Sequence, residues 1–323
     1  MKTAEVIPLA HAALSFWDLP EQEPHLVSHR ENAVFRVIDR RGKPAALRLH
    51  RPGYQSNKAI RSELTWAEGL AKAGLGVPRP IPTRHGDLIA PAPRIASLVT
   101  WIDGVPLGAG DRPLAWPPAQ QLRLYRALGK ALARLHLLSD TLTLPEWFER
   151  PRLDTQGLLG EAPLWGRFWE NPALSPEERH LLGSARKQLR AILETASNHL
   201  DFGLIHADAL RENVLVTKTQ TVLIDFDDGA FGWRMYELGV AMSQNWQEEN
   251  AARLSDALLD GYAGAHSLPR NNEALLHAFT TLRVLASCGW AISRYPPESD
   301  RMRLYAARAT EAAQRYLERE RLY

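Results

Sequence analysis

Ile205-His206-Ala207-Asp208-Ala209-Leu210-Arg211-Glu212-Asn213-Val214-Leu215-Val216, followed by Val222-Leu223-Ile224-Asp225-Phe226-Asp227-Asp228, is the most informative stretch of this chain. Val214 to Thr217 and Thr221 to Asp225 are short β-rich runs joined by Lys218-Thr219-Gln220, the pattern of a hairpin. The order is a carboxylate on a loop (Asp208), a carboxamide entering a strand (Asn213), and a second carboxylate leaving the next strand (Asp225). A hairpin folds the chain back, so Asn213 and Asp225 are expected side by side across its open end. Phosphoryl transfer needs such a set: a carboxylate to orient and deprotonate the attacking hydroxyl, and oxygen ligands to hold Mg²⁺ against nucleotide phosphates. The plain alternative is three polar residues on ordinary surface loops. His-x-Asp-x-x-x-x-Asn alone arises by chance in many proteins, but here it precedes two strands ending in Ile-Asp-Phe-Asp.

Around this block the sequence is helical. Leu122, Tyr125, Leu128, Leu132 and Leu135 form a stripe within a helix over Gln120 to Leu138. Ser175-Pro176-Glu177-Glu178 places Ser at an N-cap, Pro at the first helical position and Glu at the third, starting a helix that runs towards Ser197. Asn272 to Arg294 and Ser299 to Leu322 read as two more helices, the first apolar on most faces. The first hundred residues differ. Ala33 to Asp39 and Ala45 to His50 read as a hairpin around Arg40-Arg41-Gly42-Lys43, with Ala45, Leu47 and Leu49 on the buried face. Ser56 to Ala73 has helical spacing and ends at Gly74 and Gly76. A proline-rich passage with a short strand around Leu88 leads to a strand over Ile95 to Ile102, closed by Asp103-Gly104. The change of character at 102–104 is the expected boundary.

The central block resembles the aminoglycoside phosphotransferase and choline kinase family, relatives of the protein kinases, with its H-x-D-x-x-x-x-N and following I-D-F/x-D/E. The resemblance extends from Glu31-Asn32 to Glu237 and is specific in the block itself. It implies an α+β, bilobal protein-kinase-like fold: residues 1–102 a small β-sheet, nucleotide-binding lobe, and residues 103–323 a mainly helical catalytic and acceptor-binding lobe. It also implies ATP and Mg²⁺ as cofactors, Asp208 as catalytic base, Asn213 and Asp225 as metal ligands, and His206 as a brace of the loop backbone. Ala46-Leu47-Arg48 falls where the family's strand Lys sits, so Arg48 is expected to contact nucleotide phosphates and pair with Glu63 of the next helix, in preference to Glu68. A guanidinium keeps the charge but changes the donor geometry; the alternative is a strand Arg packing its stem on a neighbour. Ser28 to Asn32 stands where a phosphate-covering loop belongs and contains no Gly. Leu98 to Gly104 resembles the family's inter-lobe hinge, which implies that the Thr100 carbonyl and Ile102 amide read an adenine edge; a plain buried strand is the alternative.

Two departures narrow the class. Ala207 replaces the Arg of regulated protein kinases, and only twelve positions separate Asp225 from Glu237, where Tyr236-Glu237-Leu238-Gly239 resembles the start of the family's next helix. No room remains for a long peptide-docking segment. The expected activity is therefore transfer of the γ-phosphoryl group to a hydroxyl of a small metabolite: an amino alcohol, an amino-acid hydroxyl or an aminoglycoside-like acceptor. The rival readings are a Ser/Thr protein kinase and a nucleotide-binding pseudokinase, the latter motivated by Arg48. Acceptor groups are sought among Asp227, Asp228, Trp233, Glu237, Trp246, Glu248, Glu249, Trp290, Arg294 and Tyr295.

Composition agrees with this class. The 323 residues, at roughly 150 per domain, suit two domains or one two-lobed domain. A net charge of +2 gives no reason to expect nucleic acid or a membrane surface as partner. No run reaches about 18 uninterrupted apolar residues, and Met1 to Pro20 does not read as a signal peptide. A lone Cys288 excludes an intramolecular disulfide and fits a cytoplasmic setting. The His residues lack zinc-site spacing, His136 reads as a structural contact, and the ten Trp as core and pocket wall.

Overall fold

Ala45, Leu47 and Leu49 are fully buried, as their alternation predicts, and they anchor the first of two compact units. The computed structural model describes residues 3–29, 32–196 and 199–320. Contacts divide the chain into Met1–Val105 with Thr141–Arg150 and Val222–Asp227, and Pro106–Asp140 with Pro151–Thr221 and Asp228–Tyr323. The N-terminal elements are α1 (Thr3–Leu14), β1 (His25–His29), β2 (Ala33–Ile38), β3 (Pro44–Leu49), α2 (Asn57–Lys72) and β4 (Ala96–Thr100). Then follow β5 (Val105–Pro106), α3 (Pro118–Thr141), β6 (Arg152–Leu153), α4 (Thr155–Leu159), α5 (Pro176–Ala196) and β7 (Phe202–Ile205). The chain ends with β8 (Val214–Val216), β9 (Thr221–Leu223), β10 (Ala230–Trp233), α6 (Arg234–Met242), α7 (Ala251–Ala263), α8 (Asn272–Ile292) and α9 (Asp300–Glu320).

In the first unit β1 to β4 form an antiparallel sheet in sequence order. Ala33 pairs with Leu49 and Ala45 with Thr100, which sets Arg48 on the face opposite Leu47 and Leu49. Val6, Ala10, Ala13 and Trp17 join Phe35, Val37, Leu47, Leu49 and Leu98 in one core. The sequence reading missed α1, whose interior Pro8 and small apolar residues mask its helical signal. Ser56 caps α2 by accepting from the Ala59 N–H at 3.0 Å, a contact worth about 1 kcal/mol. Past the helix, Gly74 takes φ +86°, open to glycine. The strand expected around Leu88 is absent. Only single bridges, Ala90 to Ala96 and Pro80 to Val99, form there, because the prolines leave too few N–H donors for a ladder.

In the second unit the capping box is complete: Glu178 N–H donates to Ser175 Oγ at 3.2 Å, and Ser175 N–H to Glu178 Oε2 at 2.8 Å. The ends expected for α5 at Ser197 and for α9 at Leu322 lie outside the described residues. The turn before β9 is closed by Thr217 N–H to the Gln220 carbonyl at 2.9 Å. β10 pairs parallel with β6 and antiparallel with β7. Glycines set two helix approaches. A methyl on Gly129 of α3 would run into the Leu258 carbonyl of α7, and one on Gly239 of α6 into the Phe279 backbone of α8. Among the described residues α8 is the one helix long and apolar enough to cross a membrane, and 72% of its apolar window is buried inside the fold.

Candidate active site

The loop between β7 and β8 is held from beneath. Glu237, fully buried on α6, accepts the backbone N–H groups of His206 and of Ala207 on Oε2. His206 Nδ1 accepts the Asp208 N–H at 3.3 Å, the bracing role its position implied. Ala207 adopts φ +61°, costly for a residue with a Cβ, and the turn it makes precedes Asp208. Downstream, Arg211 is nearly fully buried. Its Nε and Nη2 reach Asn245 Oδ1 at 2.9 and 2.7 Å, Nη2 reaches Glu248 Oε1 at 2.5 Å, and Nη1 reaches the Arg112 carbonyl at 2.7 Å. Between these anchors Asn213 Nδ2 donates to the Asp208 carbonyl at 3.0 Å and to Asp208 Oδ2 at 2.7 Å. The second Asp208 oxygen, Oδ1, accepts from Arg283 Nη2 at 2.9 Å.

In the other unit one guanidinium gathers the acidic groups. Arg48 Nη1 donates to Glu63 Oε1 at 2.8 Å, Nη2 to Asp225 Oδ1, and Nη2 stands 4.0 Å from Asp227. Glu68 instead pairs with Lys72 at 3.1 Å. Asp225, like Ala207, lies in the left-handed region, at φ +66°, which turns it out of the strand direction. Asp227 is buried: its carboxylate accepts from Asn32 Nδ2 at 3.2 Å, and its carbonyl from Gln55 at 2.5 Å and from Arg150. Trp66 packs edge-on against Phe226 at 5.1 Å. Thr100 ends β4, its N–H bonded to the Arg79 carbonyl at 2.8 Å. Ile102 follows it, half-buried.

Burial and charge compete in both clusters. Burial opposes the Arg48 cation, but Asp225, Glu63 and Asp227 outweigh it, so its pKa rises above the ordinary value. Burial pushes Glu63 up to about 7 even with Arg48 beside it. His50, buried and near Arg48, falls to about 3 and is neutral at physiological pH. Burial works to raise Asp227, yet Arg48, His50, the Asn32 hydrogen bond and Arg150 bring it below the usual carboxylate range. Burial lifts Glu237 to about 7 despite the two N–H groups it accepts.

Several expected acceptor groups have other employment. Asp227 is tied to Asn32 and Gln55, Glu237 braces the loop, and Trp233 is core, 3% exposed. Glu248 is spent on Arg211. Trp290, Tyr295 and Tyr305 cluster with centroids 5.7–6.0 Å apart, and Arg294 lies over the Trp290 ring at 4.4 Å. Of the phosphate-covering segment, Arg30 and Glu31 lie outside the described residues; Ser28 and His29 belong to β1, and Asn32 Oδ1 accepts the Arg51 N–H at 2.8 Å. His136 is fully buried and bonded to Tyr262 at 2.8 Å, a structural contact as expected. Cys288 is buried, which pushes its thiol up to about 12 and leaves it unreactive. Sequence reasoning missed Arg211, Asn245, Arg150 and Arg283. The signal available for the first was an Arg inside the motif, between two positions already assigned.

The family model described as "Phosphotransferase enzyme family" matches residues 25–279. A microcompartment-associated aminopropanol kinase superposes with a TM-score of 0.81 at 30% identity, covering 97% of this chain and 98% of that one. Homoserine kinase of Agrobacterium fabrum is 28% identical over 218 residues, 66% of this chain and 61% of the relative. That of Neisseria meningitidis serogroup B is 29% identical over 211 residues, 64% and 62%. This chain thus spans less than two thirds of the length of those two enzymes. Amicoumacin kinase hAmiN, at 16% identity, shares the fold with a TM-score of 0.76. An antiparallel sheet followed by a mainly helical region, the loop signature and a match over most of the length lead to one assignment: the chain belongs to the phosphotransferase enzyme family, as a small-molecule kinase.

Proposed function

We propose that this kinase moves the γ-phosphoryl group of ATP to the hydroxyl of a small amino-bearing metabolite, an amino alcohol or a hydroxy amino acid, with Asp208 as the base. The carrying observation is the Asp208–Asn213 contact at 2.7 Å on a loop fastened at both ends. A base held this firmly loses little entropy on reaching the reactive arrangement. The relatives named for homoserine and aminopropanol support the acceptor class.

The donor chemistry fits a Mg²⁺-bound nucleotide. Asn213 gives its amide nitrogen to Asp208, so its remaining donor to a cation is the hard carbonyl oxygen, and Asp225 presents a carboxylate whose side chain is 44% exposed. Asn213 and Asp225 would hold the ion, which supplies charge neutralisation on the phosphates when bound. Arg48, steadied by Glu63, contacts phosphate oxygens, and the Thr100 carbonyl with the Ile102 amide reads the adenine edge. In this reading residues 1–102 serve the nucleotide, and residues 103–323 the base and acceptor.

The test is a phosphorylation panel with radiolabelled ATP. It contains 1-aminopropan-2-ol, ethanolamine, choline, L-homoserine, L-threonine, an aminoglycoside and a Ser/Thr peptide library. Label in a small amino-bearing alcohol, lost by about 10²–10⁴-fold in Asp208→Ala, is the expected result. Wild-type turnover in that variant removes Asp208 from the role, and label in peptides alone overturns the acceptor class.

A further inference from the structure

Asp208 is gripped on both oxygens, one grip from its own loop and one from a distant helix. Asn213 holds Oδ2; the hold on Oδ1 comes from Arg283 on α8, 75 positions later. Arg283 is itself aimed. Its Nη1 donates to Ser287 Oγ, one helical turn on, at 2.6 Å, and that hydroxyl donates back to the Arg283 carbonyl at 3.0 Å. The two charged side chains are only 13% and 20% exposed. Asp228 adds favourable negative charge near the guanidinium, and its Nε is buried without a hydrogen-bond partner. An unpartnered buried donor is a cost to folding. Burying a long cation is a poor route to stability as well, since the desolvation penalty can exceed the attraction gained. The arrangement gains sense from what it does to the carboxylate.

We propose that Arg283 is a positioning residue for phosphoryl transfer, fixing the plane of the Asp208 carboxylate and occupying Oδ1 so that Oδ2 receives the acceptor proton. The inference rests on reading Asp208 as the base. In the step, the acceptor oxygen forms its bond to the γ-phosphorus. The bond from that phosphorus to the bridging oxygen breaks, and its electron pair leaves with ADP. The hydroxyl proton passes to Asp208 Oδ2. Arg283 neither gives nor takes a proton, because a guanidinium stays charged throughout. Oδ1, facing that cation, is the poorer place for a proton, whereas the Asn213 amide on Oδ2 is a neutral donor. Two donors in a rigid fork, one on Ser287 and one on Asp208, set the angle of the carboxylate as a single rotatable ammonium does not.

Steady-state kinetics of Arg283→Gln, Arg283→Lys and Ser287→Ala test this, using the best acceptor of the panel and, as a second readout, hydrolysis with water as acceptor. Arg283→Gln is expected to lower kcat by about 10²-fold while KM for ATP stays within about twofold, as for a misplaced reacting group. Arg283→Lys should recover about tenfold of that loss, and guanidinium ion in the buffer should partly restore Arg283→Ala. Ser287→Ala leaves the charge in place and loosens only its aim, and should lower kcat about three- to tenfold; it carries the test if Arg283→Gln does not fold. Wild-type kcat in Arg283→Gln, or in Ser287→Ala where that must stand in, overturns the proposal. So does a loss that neither Lys nor guanidinium relieves. Asp208→Asn tells the two failures apart. If it turns over normally, the base reading has failed; if it is dead while Arg283→Gln is unimpaired, only the role of Arg283 has.

Discussion

Glu63 Oε1 lies 2.8 Å from Arg48 Nη1, and the second terminal nitrogen of the same guanidinium meets Asp225. One cation therefore joins β3, α2 and the segment that follows β9. A lysine has a single terminal nitrogen and serves two carboxylates less well than a fork.

Arg48→Met leaves Glu63 buried, 5% exposed, with its cation removed. Breaking a buried pair this way costs about 3–5 kcal/mol. The loss should be smaller below pH 7, where Glu63, already pushed up to about 7, can become neutral. Chemical denaturation at pH 6 and pH 8 checks this, with Arg48→Lys expected between Arg48→Met and the natural protein. Equal losses at both pH values would show that Glu63 does not take up the proton.

Asp225 combines an acidic side chain with φ +66°, a conformation that Asn tolerates better than most residues. Asp225→Asn is thus expected to fold normally while ATP affinity gains little from added Mg²⁺. Isothermal titration with and without the ion reads the difference; an undiminished Mg²⁺ effect removes Asp225 as a ligand.

Glu237 has its pKa raised from 4.5 to about 7 by burial. The folded protein therefore holds a proton that the unfolded chain has lost between those values. Its contribution to stability is complete below about pH 4.5 and disappears as the pH climbs through 7, up to about 3 kcal/mol in all. Glu237→Gln keeps an oxygen for the His206 and Ala207 N–H groups without the ionisation. Thermal melts of the two proteins should diverge from pH 5 to 7 in favour of the variant and run parallel above. Curves parallel throughout would show that Glu237 ionises at its ordinary pH.

Two glycine-to-alanine changes in helices should have opposite signs. Gly239→Ala drives a methyl into the Phe279 backbone and separates α6 from α8, at a cost of at least about 1–3 kcal/mol. Gly183 on α5 meets nothing within 4 Å, so Gly183→Ala should stabilise by about 0.5–1 kcal/mol. Melting temperatures of the pair decide.

The readable parts of this chain were those governed by short-range rules. The period of Ala45, Leu47 and Leu49 and the Ser175–Glu178 box depend on neighbours a few residues away, and each formed as expected. The Arg48–Glu63 contact was also legible, because the motif left one charged residue on the strand and favoured one of two on the helix. Arg211, Arg283 and Glu237 were opaque for the opposite reason. Their partners lie 34, 75 and 31 positions away, and a single charged residue looks the same in sequence whether its side chain meets solvent or a partner that far along the chain. Pro8 hid α1, and the strand read at Leu88 lay among prolines whose missing donors could not sustain it.

The anchorage of Arg211 bears on redesign. Its hydrogen bonds to Asn245, Glu248 and the Arg112 carbonyl bolt the loop that carries Asp208 to two separate stretches of chain. Directed evolution of this chain will find that loop a rigid chassis, where replacing Arg211 forfeits several bonds at once. The cluster of Trp290, Tyr295 and Tyr305, held by ring contacts 5.7–6.0 Å apart, shares none of those bonds and can be varied without loosening the chassis.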